Sequence, residues 1–245
     1  LFGEIYEQIP ELPFCNIWTA MQLSSKLPKG ALFHMGVSNT RRCWNMFQLP
    51  ESVESACNVG CCGIDGCVST LVGASLVNPD RLCYVVVGDL TFFYDLNSLG
   101  NHHIGTNLRV MLVNNGRGTE FRLGIHHCNV FGDDADKYMA AAGHFGNKSP
   151  LLVKHYAEDL GFHYLSATTK EEFMTALSNF TNPQLSDHSM ILEVFTDSKD
   201  ESEALYLMSH IQSDAKGMVR SKLKDAVRNV AGEKGINAIK KILKK

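Results

Sequence analysis

No stretch of this 245-residue sequence approaches the roughly 18 consecutive apolar residues that a membrane-spanning helix needs. It also lacks a basic-then-apolar opening of the secretory kind, and it begins at Leu1 rather than Met. The expectation is a cytoplasmic protein, and a piece of a longer one. No internal repeat is present. Aromatic residues are absent after Tyr206, which argues against a base-stacking platform in the tail and against nucleic acid as a partner. Charge is sparse at 20% Asp, Glu, Lys and Arg, with a net of −3, and it is unevenly spread. From Glu203 onward ten Lys and Arg face four Asp and Glu, against 13 and 22 in the rest. A basic tail can meet an anionic surface, but the reading preferred here is a solvated amphipathic helical extension. The eight cysteines lack the spacing of a structural zinc site, which wants two pairs set about two residues apart. Cys61 and Cys62 are adjacent and glycines separate them from Cys57 and Cys67, so small packing thiols in a reducing compartment are the favoured reading over a metal site.

What the sequence does contain is alternation. Ile17 to Leu27 has helical spacing and ends at Pro28-Lys29-Gly30. Ala31 to Val37 reads as a strand entering the polar loop Ser38-Asn39-Thr40. Ile64 to Leu76 suits a buried helix before the turn Asn78-Pro79-Asp80. The run LCYVVV (82–87) is continuously apolar, as a strand covered on both faces is, and LRVMLV (108–113) and MILEVF (190–195) follow the same logic. Phe162 to Leu165 is a weaker strand. Helices fit at Thr91–Leu99, Asp136–Phe145, Leu151–Leu160 and Lys170–Asn179. Strands alternating with helices of this length give βαβ units, hence a doubly wound, mostly parallel α/β sheet with helices on both faces. After Phe195, an acidic loop at 197–201 leads into a helix to about Val230, and a last basic helix begins near Glu233. The expected division is one α/β domain over 1–200 and a basic helical extension over 201–245.

In open parallel sheets, ligands bind where strand ends enter helices. Three such loops stand out: Gly36-Val37-Ser38-Asn39, Gly88-Asp89-Leu90-Thr91, and Asn114-Asn115-Gly116-Arg117-Gly118-Thr119. In the second, Gly88 permits a tight turn, Asp89 puts a carboxylate at a strand end, and the helix start offers amides to phosphate oxygens. A carboxylate beside an anion site makes sense if a cation mediates, and Mg²⁺ takes oxygen ligands. In the third, Asn115 adds an amide oxygen and the glycines around Arg117 leave a backbone carbonyl free. The plainer alternative is that Asp89 and Asn115 are strand-end turn residues.

Gly-Asp followed 26 positions later by Asn115, with one helix and one strand between, resembles the signature of thiamine-diphosphate enzymes. GDLTFFYDLNSL and VNNGRGTEF look like the synthase of menaquinone biosynthesis that joins a succinyl semialdehyde unit to isochorismate. GVSNTRR resembles that family's Gly-Asn-Ser loop with an arginine four residues on, and NVGCCGIDGCVST its Asn-Arg-Gly…Gly-Ile-Asp-Gly segment. The resemblance runs from about Phe33 to Phe121. It implies the thiamine-diphosphate-binding fold, with Mg²⁺ held by the side chains of Asp89 and Asn115 and the carbonyl of Arg117. Ser38, Cys62, Leu90, Thr91 and Thr119, with Gly88 at the strand end, would line the diphosphate. Ile64 would hold the cofactor bent, and Arg42 would bind a substrate carboxylate through its forked guanidinium. The activity implied is decarboxylation of a 2-oxoacid and transfer of the acyl unit to an acceptor, most like the use of 2-oxoglutarate and isochorismate.

Two departures bear on the acceptor. Val59 stands where the family has an arginine, and Glu120 where it has an apolar residue. A third gap concerns catalysis. The family's activating glutamate comes from a pyrimidine-binding domain, and no residue here is a candidate for it. That half would come from the same or a second polypeptide, and a homo-oligomer, dimer or tetramer, is implied. A rival reading of another class is a non-catalytic α/β binding module. Among other residues, His102-His103 reads as an exposed pair and His126-His127 as part of a lid-like stretch. Asp133, Asp134 and Asp136 read as a helix start, and Asp95 and Asn97 as helical packing residues.

Overall fold

The computed structural model describes residues 6–60, 62–123, 126–138 and 149–211. Six strands form one sheet in the order β2-β1-β3-β4-β6-β5, and every pairing is parallel. They are β1 (Leu32–Met35), β2 (Glu54–Cys57), β3 (Cys83–Gly88), β4 (Leu108–Asn114), β5 (His163–Ala167) and β6 (Met190–Phe195). The helices are α1 (Asn16–Leu23), α2 (Asn39–Trp44), α3 (Cys67–Val77), α4 (Asp89–Asp95), α5 (Ala135–Tyr138), α6 (Leu152–Asp159), α7 (Lys170–Phe180) and α8 (Ser198–Ser209).

The apolar strand runs explain the two cores. Along β3, Tyr84 and Val86 join the core built with α1, α7 and α8, while Cys83, Val85 and Val87 join the one built with α3, α4 and α6. Successive side chains point to opposite faces, so a central strand with helices on both sides must be apolar throughout. The doubly wound α/β expectation therefore holds.

The chain runs outward from β1 to β2, then returns past β1 to place β3 on its other side. The crevice between the carboxyl ends of β1 and β3 is the switch point of the fold. The strands approach closely there. A β-carbon on Gly36 would lie 3.1 Å from the Val86 carbonyl oxygen and 3.3 Å from Val87 Cα.

Several expectations shift. Strand β2 was not anticipated: three of its four residues are exposed, so it carries no apolar signal. Asn39 and Thr40 do not form a loop but open α2, and the helix expected from Ile64 begins at Cys67. The stretch 197–201 is not a loop either. Asp197 caps α8, its Oδ1 accepting from the amides of Lys199 at 2.7 Å and Asp200 at 3.2 Å. The expected boundary at residue 200 falls inside this helix, which buries Ala204, Leu205 and Met208 in the core. Most of the helix expected at 136–145, and the basic helices beyond residue 211, lie outside the described residues. No helix among the described residues is long and apolar enough to cross a membrane.

Candidate functional site

The loops after β1, β3 and β4 converge on a cavity of about 490 Å³ at the switch point. All eleven residues singled out in the sequence line it: Ser38, Arg42, Cys62, Ile64, Gly88, Asp89, Leu90, Thr91, Asn115, Arg117 and Thr119. Val59, Glu120, Tyr94, Asn16 and Glu201 line it as well.

Asp89 lies within the first turn of α4 rather than in a loop, and it is 2% exposed. Its Oδ1 accepts from the amide of Leu90 at 2.8 Å. Gly88 is extended, with φ −77°, so the tight turn expected of it is absent. A β-carbon there would meet no atom within 4 Å, so the glycine leaves space where the strand end borders the cavity. After β4, Gly116 takes φ 80°, which favours glycine, and Asn115 Oδ1 accepts from the amide of Arg117 at 3.2 Å. That amide oxygen keeps a second lone pair.

Backbone strain gathers in the same place. Among the described residues, Ser38 (φ 64°) and Cys62 (φ 53°) are the two non-glycine residues at positive φ, and both line the cavity. Such conformations cost on the order of 1–3 kcal/mol each and concentrate where a ligand is gripped. Thr119 Oγ1 is buried on the cavity wall with no hydrogen-bond partner among the described residues. A buried hydroxyl in that state is a donor and acceptor reserved for something else.

At the α2 side of the cavity, Glu120 Oε2 accepts from Ser38 Oγ at 2.5 Å and is ion-paired with Arg42 Nη1. Burial raises the Glu120 pKa, but the hydrogen bonds from Arg42 and Ser38 and the charge of Arg42 outweigh it, and the net shift is downward. Arg42, expected to receive a substrate carboxylate, is thus already engaged by a carboxylate of the chain itself. Val59 lies 44% exposed on the same cavity.

Sequence reasoning missed Glu201. It sits on α8, 4% exposed, and its Oε1 accepts from the Asn16 amide at 3.1 Å and from Thr196 Oγ1 at 2.6 Å. Burial pushes its pKa up to about 7 against those hydrogen bonds, with the charges of Asp89 and Asp197 adding to the rise. An acidic run after a strand gave no sign that one member turns inward. Behind the site, Glu193 on β6 accepts from Asn114 Nδ2 at 2.7 Å and from Tyr164 Oη at 2.7 Å, tying β4, β6 and β5 together. Asp95 packs as expected, accepting from the amide and hydroxyl of Ser69 at 2.7 and 3.0 Å. His102 and His103 are exposed, and His126 Nδ1 accepts from the amide of Cys128 at 3.1 Å, capping a 3-10 turn.

Comparison with known proteins finds several relatives that share one name. The chain is 34% identical over 196 residues to the 2-succinyl-5-enolpyruvyl-6-hydroxy-3-cyclohexene-1-carboxylate synthase of Bacteroides fragilis, covering 80% of this chain and 34% of that protein. To the synthase of the same name from Phocaeicola vulgatus it is 34% identical over 200 residues, with 80% and 34% covered. For Christiangramia forsetii the values are 33% over 199 residues, 81% and 33%. The likeness therefore extends well past the stretch 33–121 that carries the motifs. The chain spans about a third of the length of these curated relatives. No family model matches it.

Proposed function

We propose that this chain, 33–34% identical to 2-succinyl-5-enolpyruvyl-6-hydroxy-3-cyclohexene-1-carboxylate synthases over about a third of their length, belongs to their family as the diphosphate- and Mg²⁺-binding domain of a thiamine-diphosphate-dependent 2-oxoacid decarboxylase and carboligase. The observation that carries the reading is the gathering of all eleven expected residues on one cavity at the switch point. The residues present fit the group. Thr119 offers a buried hydroxyl with no partner among the described residues, Gly88 leaves the strand end open, and Asp89 and Asn115 supply hard oxygen donors.

In this reading Asp89, Asn115 and the Arg117 carbonyl hold Mg²⁺. Ser38, Cys62, Leu90, Thr91 and Thr119 line the diphosphate through amides and hydroxyls, Ser38 by its backbone amide. Ile64 supports the cofactor from below, and Arg42 faces the substrate. Thiamine diphosphate, when bound, supplies the electron sink at which a 2-oxoacid loses its carboxyl group. The activating glutamate belongs to a pyrimidine-binding domain of the same or a second polypeptide. The donor and acceptor are, on the likeness to the synthases, 2-oxoglutarate and isochorismate. A second reading keeps the chemistry and changes the acceptor, and the Arg42–Glu120 ion pair favours it.

Titration calorimetry of the chain with thiamine diphosphate, with and without Mg²⁺, tests the domain assignment. Mg²⁺-dependent binding is expected, weaker than in an assembled enzyme because the pyrimidine half adds its own contacts. A non-catalytic α/β module shows no such binding, even with a pyrimidine domain added. Turnover of 2-oxoglutarate with isochorismate by the assembled protein then separates the two acceptor readings.

A further inference from the structure

Arg42 reaches the cavity from α2, and Glu120 meets it from the 3-10 turn (Thr119–Arg122) that follows β4. One carboxylate oxygen, Glu120 Oε2, takes both Arg42 Nη1 and the Ser38 hydroxyl. Arg42 Nη1 also donates to Asn39 Oδ1 at 3.3 Å. Ser38 holds its place with a strained backbone, so its hydroxyl is fixed beside Arg42 rather than free to serve an incoming anion. A cation and a hydroxyl side by side make a carboxylate site, and here a carboxylate of the protein fills it.

The consequence is electrostatic. A second carboxylate arriving at Arg42 meets a pair with no net charge, and its own charge faces that of Glu120. Like charges set side by side in a partly desolvated cavity oppose binding strongly. The hydrogen bonds and cation around Glu120, with His126 adding further positive influence, keep it ionised at neutral pH. The remaining N–H donors of Arg42 still suit a hydroxyl or carbonyl oxygen.

We propose that Glu120 is the specificity-determining residue of this cavity: it occupies Arg42 as an internal carboxylate, so the substrate group seated beside Arg42 is uncharged. The inference rests on the reading above that the cavity carries substrate as well as cofactor.

The test follows the side-chain Nε–H signal of Arg42 by NMR in the intact chain as succinate, a carboxylate probe, and succinamide, its neutral counterpart, are titrated. In Glu120→Gln, succinate is expected to bind about tenfold tighter or more than in the native chain, the scale of one charge-assisted pair. The gain should vanish when Arg42→Gln is added. Glu120→Ala carries the same expectation should the glutamine variant fold poorly. Succinate binding at Arg42 of the native chain as tight as in the variants overturns the proposal, and so does the absence of any gain in both variants. Thiamine diphosphate with Mg²⁺ is titrated into the same samples. Cofactor binding without a gain for succinate sinks the role of Glu120 alone, whereas a gain without cofactor binding sinks the domain assignment and leaves Glu120 as the guard of a different site.

Discussion

Asp89 and Asn115 leave the sheet on neighbouring strands: Gly88, just before the carboxylate, is the register partner of Val113, two residues before the amide. Parallel pairing sends both chains out at the same carboxyl end of the sheet. The carboxylate is buried, and its charge helps to raise the pKa of Glu201, itself a carboxylate. Two acids sharing a cavity repel, and a divalent cation converts that repulsion into attraction.

Asp89→Ala is therefore expected to remove Mg²⁺-dependent binding of thiamine diphosphate while leaving the fold in place. The loss should exceed about a hundredfold, since it deletes the charged ligand of the ion. Calorimetry at fixed Mg²⁺ measures it, and circular dichroism checks the fold. Unchanged affinity in a folded variant removes Asp89 from the site.

Thr119→Val separates a binding residue from a packing one. The two side chains have nearly the same shape, and the hydroxyl being deleted is buried without a partner among the described residues. Relief of that orphaned group should stabilise the free chain by about 1 kcal/mol. The same change should weaken diphosphate binding, because the reserved hydrogen bond is gone. Denaturant unfolding gives the first number and calorimetry the second. A drop in stability with affinity unchanged assigns Thr119 an ordinary packing role.

The fold was legible wherever burial dictates composition. LCYVVV, LRVMLV and MILEVF are covered on both faces and so are apolar but for Arg109 and Glu193, and β3, β4 and β6 announce themselves. Glu54–Cys57 lies on the sheet edge and is largely exposed, so nothing obliges it to be apolar and the strand went unread. The site was legible through its loops, because Asp89 and Asn115 follow strands that can be recognised. Glycine roles were not. Gly88 was expected to turn the chain and is extended, while Gly36, assigned no special role, sits where a side chain would strike β3. Glu201 was hidden for a similar reason. Its inward direction depends on α8 packing over the cavity, a tertiary fact that an exposed-looking acidic run does not encode.

Glu201 should give the chain a distinctive pH dependence. Its pKa rises on folding from an ordinary 4.5 to about 7. Below pH 4 it is protonated in both states and contributes nothing. Between pH 4.5 and 7 the unfolded chain loses this proton and the folded chain keeps it, so stability falls across that window. Above pH 7 the full cost applies, on the order of 3 kcal/mol. Glu201→Gln removes the titration yet retains an oxygen to accept from Asn16 and Thr196. The variant should lose the decline and be the more stable protein at pH 8, as read from denaturant midpoints across the range. An identical slope in both proteins would show that Glu201 ionises normally.

Gly36→Ala probes the switch point itself. The glycine amide donates to the Val86 carbonyl at 2.7 Å, so β1 is fastened to β3 at the position where the added methyl would arrive. That methyl would sit 3.1 Å from the same carbonyl oxygen and 3.3 Å from Val87 Cα and Cγ1. Two of those three atoms are backbone of a strand buried between two cores, and they cannot swing aside as a side-chain tip would. The strands must part by a few tenths of an ångström instead, at a cost of about 1–3 kcal/mol. Because Ser38 and Asp89 are each carried by the end of one of these two strands, the displacement should also weaken cofactor binding. A variant less stable by that amount, with diphosphate affinity reduced in parallel, is the expected outcome. Full stability in denaturant would mean that β1 and β3 are farther apart at this point than their register implies.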